Sequence, residues 1–118
     1  MARSRLPRIF RRFKTPESQR VVIIVGTDYT EYRLFRLMVS RGHKVHCFIT
    51  DDPWKYNTDI DGVVCRYPSE LPSLCKRYGV SEVFYCDDKW LAKLPSNENI
   101  NLKKMGSEYF LRAYVHGN

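Results

Sequence analysis

Residues 21–53 decide the fold: Val21-Val22-Ile23-Ile24-Val25-Gly26, then fifteen residues, then Gly42-His43-Lys44-Val45-His46-Cys47-Phe48-Ile49-Thr50-Asp51-Asp52-Pro53. A continuous β-branched run closing on glycine is the profile of a parallel strand buried on both faces. The segment that follows has helical spacing, and the Gly42 beyond it fits the end of a helix. A second apolar run stops at Asp51-Asp52-Pro53. Together these form an opening β-α-β unit. In an intact dinucleotide fingerprint glycine would stand at positions 26, 28 and 31, but this chain has Gly26, Asp28 and Glu31. The second glycine lets backbone approach a pyrophosphate, and the third lets helix and strand pack closely. Two carboxylates at those places add bulk and put negative charge where phosphate would sit.

The alternation continues beyond this unit. The pattern predicts a helix over residues 31–41, a strand over 44–50 and a loop over 54–62 with Asn57, Asp59, Asp61 and Gly62 as turn residues. A third strand follows at 63–66, then a helix capped by Ser69 and running to residue 78, then a fourth strand at 81–86. Strands alternating with helices require parallel pairing and right-handed crossovers. The expected fold is a three-layer α/β domain with a Rossmann-like parallel sheet in the order 3-2-1-4, open to extension by a C-terminal strand. Past Asp87 the pattern weakens. A helical turn is expected over 88–94, a loop over 96–99 and an edge strand over 100–105; residues 107–115 fit either helix or strand, and helix is favoured because Ser107 can cap it.

The 118 residues fit one domain behind an arm, with residues 21–118 as the domain and 1–20 as the arm. No apolar run approaches the roughly 20 residues that cross a bilayer, and residues 1–20 lack the apolar core of a secretory signal; a cytoplasmic protein is expected. In the arm, Arg3, Arg5, Arg8, Arg11, Arg12, Lys14 and Arg20 oppose only Glu17, so most of the net charge of +7 sits there. Leu6, Ile9, Phe10 and Phe13 recur at the spacing of one helical face. With Arg8 and Arg12 they make a segment that could lie on an anionic membrane surface or on a partner protein, or pack on its own domain or a second copy. Nucleic acid is the least favoured partner, because the rest of the chain has no second basic stripe with interleaved aromatics. Trp54, Tyr56, Trp90, Tyr109, Phe110 and Tyr114 exceed what a small sheet covers, and a homo-oligomer, most simply a homodimer, is expected. Vesicle sedimentation and light scattering are the respective checks.

Cys47, Cys65, Cys75 and Cys86 show no C-x-x-C pair, and none has a histidine at ligand spacing. They read as reduced thiols acting as small core hydrophobes. The chain has no Gly-x-Ser-x-Gly, His-Glu-x-x-His or Walker pattern. No catalytic residue and no metal site is assigned.

One family matches several of these segments in order and spacing. Residues 45–53, Ile60-Asp61-Gly62-Val63, Leu71-Pro72 and Tyr78-Gly79-Val80-Ser81-Glu82-Val83 resemble the CoA-binding-like Rossmann domain. That domain stands on the N-terminal side of bacterial nucleotide-sugar dehydratases/epimerases and polyprenyl-phosphate sugar transferases. The resemblance covers about residues 20–87. It implies a link to polysaccharide biosynthesis and a site at Gly26, Thr27, Asp28, Tyr29 and Thr30, with Thr50, Asp51, Asp52 and Asp87 beside it. NAD, CoA or a nucleotide-sugar is the implied ligand. Thr50 stands where the family carries the first of three aspartates, so a neutral hydroxyl replaces the carboxylate that accepts from a ribose diol.

With both handles on a dinucleotide altered, the first expectation is a non-catalytic binding or regulatory module derived from a nucleotide- or CoA-binding domain. Its competitor is a working nucleotide binder that uses the backbone amides of residues 27–30 at the helix start. A third class is an oligomeric interaction domain with a membrane-surface arm. Asp28, Asp51, Asp87 and Asp88 could make an acidic rim at the carboxyl edge, or be ordinary loop aspartates.

Overall fold

The structure is a computed structural model, and it describes residues 19–106. The expected arm and the helix expected over residues 107–115 therefore lie outside or almost outside the described residues. The elements are β1 (Val21–Val25), α1 (Tyr29–Ser40), β2 (Lys44–Ile49), β3 (Asp59–Ile60), β4 (Val63–Arg66), a 3-10 turn (Pro68–Glu70), α2 (Leu71–Tyr78), β5 (Glu82–Tyr85), a second 3-10 segment (Asp88–Ala92) and β6 (Leu102–Lys104). The sheet order is β3-β4-β2-β1-β5-β6. All its pairings are parallel except β3 with β4. The predicted order of four parallel strands is the β4-β2-β1-β5 centre of this sheet, and the C-terminal extension is β6.

β1 reads as an unbroken apolar run because both its faces are covered. Val22 and Ile24 pack with Leu34, Phe35 and Met38 of α1, joined by Phe48 and Phe84. Ile23 and Val25 pack on the opposite face with Leu71, Leu74 and Cys75 of α2, joined by Trp90. The three layers follow from this alternation. In the β1–β2 ladder Val22 faces Val45 while Ile23 faces Cys47, so His46 is passed over. Its ring lies 4.1 Å from that of Tyr78 on α2.

Three boundaries differ from expectation. Ser69 does not cap the helix that ends at Tyr78: it lies inside the 3-10 turn Pro68–Glu70, where the Leu71 amide donates to the Pro68 carbonyl, and Glu70 is the N-cap of α2. The stretch 54–62 is not all loop: Asp59–Ile60 turns through Asp61 and Gly62 and pairs antiparallel with Val63 and Val64. Asp61 (φ 53) and Gly62 (φ 85) both take positive φ, as a tight two-residue hairpin demands, and the Gly62 amide donates to Asp59 Oδ2 at 2.8 Å. A strand of two residues is too short for alternation to reveal. Helix α1 begins at Tyr29, two residues before the expected start, because Asp28 is its N-cap. Tyr29 and Thr30 are thus helical.

Candidate functional site

The carboxyl ends of β1 and β5 lie side by side, and the chain leaves them in opposite directions along the sheet. α1 leads to β2, and the segment after β5 leads to β6. Ligands of open α/β sheets bind at such a switch point. Gly26 closes β1 with φ 111, and its amide donates to the Ile49 carbonyl at 2.7 Å. Glu31 is the third residue of α1, and its side chain turns back toward the helix start. Its Oε1 accepts the Asp28 amide at 2.9 Å. A Cβ on Gly26 would lie 2.8 Å from Glu31 Cδ, 2.9 Å from Cγ and 3.0 Å from Oε2. The room left by the missing side chain is therefore taken by the glutamate. Glu31 is only 4% exposed. Burial pushes its pKa above the usual carboxylate value, outweighing the amides of Glu31 and Asp28 that pull it down, and the Asp28 charge pushes the same way as burial.

Beside Glu31 lies an open crevice of about 380 Å³. Asp28, Thr30 and Glu31 line it from the α1 side, with Cys86, Asp87, Asp88 and Lys104 opposite. Four carboxylates thus meet one ammonium, and Lys104 Nζ is itself 3.0 Å from the Asp88 carboxylate. The net field disfavours an anion. Burial, reinforced by the Glu31 and Asp87 charges, pushes the Cys86 thiol up to about 12. At neutral pH it is a thiol rather than a nucleophilic thiolate.

The other predicted site residues are mostly engaged with the protein itself. Thr27 Oγ1 accepts from Lys55 Nζ at 3.0 Å. Thr50, at the place of the family's ribose-binding aspartate, is buried, and its Oγ1 accepts the Asp52 amide at 3.1 Å. Asp52 in turn accepts the Trp54 amide at 2.9 Å. Asp51 does not line the crevice; it pairs with Lys93 at 2.5 Å, and that hydrogen bond holds its carboxyl below the usual range. Asp87 caps the 3-10 segment by accepting the Lys89 amide at 3.0 Å. Tyr29 is 74% exposed, with the Arg33 guanidinium 6.0 Å from its ring. The structure therefore joins Asp28, Asp87 and Asp88 of the expected acidic rim and assigns Asp51 elsewhere. Among the described residues no group of three or more His, Cys, Asp or Glu side chains is placed to hold a metal ion, and no helix is long and apolar enough to cross a membrane.

Glu31 is the residue whose part was missed. The signal was present, because an Asp followed three residues later by Glu ahead of an apolar run marks a helix start. Lys104 carried no comparable mark.

Comparisons with protein families and with curated proteins returned no match. Solved structures do match. A UDP-D-quinovosamine 4-dehydrogenase from Vibrio fischeri aligns with TM-score 0.61 at 20% identity, over 80% of this chain and 84% of that one. RSP, a Rex-family repressor, aligns with TM-score 0.59 at 10% identity, over 85% of this chain. The chain spans 59% of that repressor. RSP in complex with β-NAD+ and operator DNA aligns with TM-score 0.59 at 10% identity, over 96% of this chain and 63% of that one. The fold is Rossmann-like.

Proposed function

We propose that this domain is a non-catalytic binding or regulatory module built on a nucleotide-binding type of fold, in which the usual pyrophosphate seat is closed. The observation that carries this reading is the lining of the switch-point crevice. Asp28, Glu31, Asp87 and Asp88 supply four carboxylates, and the one lysine is already paired with Asp88. A dinucleotide would bring two phosphate charges into that field, with no glycine at 28 or 31 to let backbone approach them. The protonated Cys86 supports the absence of nucleophilic chemistry there.

A link to nucleotide-sugar or envelope polysaccharide metabolism belongs to this proposal. It is supported by the segments that resemble the CoA-binding-like domain and by the likeness to a UDP-D-quinovosamine 4-dehydrogenase. The competing reading, a working NAD, CoA or nucleotide-sugar site, draws its support from the likeness to RSP, which has been seen with NAD+. Calorimetry against NAD, CoA and UDP-sugars separates the two. The expected result is no measurable heat at micromolar concentrations, and micromolar binding to any of them defeats the closed-seat reading.

A further inference from the structure

We infer that Glu31 is an internal stand-in for a ligand's phosphate and sets specificity by occupying the seat, not only by repelling charge. This rests on the closed-seat reading and says which atoms close it. A phosphate at the start of α1 would need two things: a free amide to donate to its oxygens and a bare floor over which it could come close. Glu31 takes both. Its Oε1 holds the Asp28 amide at 2.9 Å, and its Cγ, Cδ and Oε2 cover Gly26 at 2.8–3.0 Å from where a Cβ would stand. Gly26 keeps the backbone form of an open cradle, with φ 111. The seat is present, and the chain's own anion sits in it.

The side chain is also arranged to stay there. Solvent reaches only 4% of the residue, and the remaining approach passes Asp28 and Asp87, both acidic. An incoming phosphate must therefore displace a carboxylate already bonded to the helix start. Asp28, Asp87 and Asp88 alone would weaken an anion through solvent, where charges are screened; a filled seat excludes it by contact.

The test uses the full chain and three variants, Glu31→Gly, Glu31→Ala and Glu31→Gln, each checked for an intact fold by circular dichroism. Inorganic pyrophosphate and NAD are the probes, read by calorimetry and by ligand-induced shifts in melting temperature. Glu31→Gly and Glu31→Ala are expected to bind pyrophosphate about tenfold or more tightly than the wild type, as a freed amide bonding an anion implies. Glu31→Gln keeps the seat filled without the charge and should bind as weakly as the wild type. No gain in a folded Glu31→Ala overturns the inference, and so does a Glu31→Gln gain equal to that of Glu31→Ala, since charge alone would then explain the exclusion. Wild-type binding of NAD defeats the reading of the preceding subsection; unchanged binding across the variants defeats this one, whatever the wild type does.

Discussion

Two buried glutamates sit at opposite edges of the same sheet and are held in different ways. Glu82, at the amino end of β5, is 8% exposed and lies between two cations: Arg20 Nη1 at 3.2 Å and Lys103 Nζ at 3.1 Å. Glu31, at the carboxyl edge, is 4% exposed, and its carboxylate leans on backbone amides with Asp28 and Asp87 as neighbours. The first arrangement ties strands together, because Arg20 precedes β1 and Lys103 lies on β6. The second is held mainly by backbone dipoles, with the Lys89 charge a lesser support, and places a charge where like charges gather. Burial of an acid is thus no single statement: one glutamate closes an edge of the sheet, and the other fills a site.

The largest expected effect comes from the glycine beneath Glu31. Gly26→Ala forces a Cβ into φ 111 and into contact with the glutamate, which should cost about 2–4 kcal/mol in urea unfolding. In a Glu31→Ala background part of that cost should vanish, with a coupling of at least about 0.5 kcal/mol. Strict additivity would mean that Glu31 does not press on Gly26.

Next comes the paired glutamate. Glu82→Ala removes the acceptor of two cations whose side chains are 45% and 51% exposed and so can be rehydrated. A loss of about 1–2 kcal/mol is expected, shrinking as salt is raised. A salt-independent loss would point to packing rather than charge.

The smallest effect is also the sharpest. Because the folded state holds the Glu31 proton more tightly than the unfolded chain, this group favours folding in full below pH 4.5, the ordinary glutamate value. That contribution is lost as pH rises through its raised pKa. Glu31→Gln cannot titrate. Its stability relative to wild type should therefore rise between acid and neutral pH, as measured by urea midpoints from pH 4 to 8. A constant difference would show that Glu31 is not desolvated.

Much of this was legible in the chain. The run Val21–Val25, the helical spacing behind it and the apolar stretch after Gly42 specify strands and helix because both faces of β1 are covered, leaving no polar alternation to mislead. The missing glycines were equally plain. The direction of the Glu31 side chain was not: an Asp28-x-x-Glu31 spacing states that the carboxylate turns back, but whether it meets solvent or Gly26 depends on how tightly β1 enters α1. The local bond that engages Thr50 was equally hidden. Its hydroxyl answers the Asp52 amide in the turn before Pro53, a local bond that competes with any ligand and leaves no trace in residue type.

The two tryptophans make the molecule optically asymmetric. Trp54 stands 90% exposed on the turn after β2, whose Lys55 reaches Thr27 at the carboxyl edge, while Trp90 is 4% exposed in the core beneath α2. A soluble quencher should reach the first and leave the second dark to it. Emission then divides into a blue component that follows the integrity of the core and a red component that follows whatever approaches that edge. The unaltered chain can report on folding and on encounter in one cuvette, at two wavelengths.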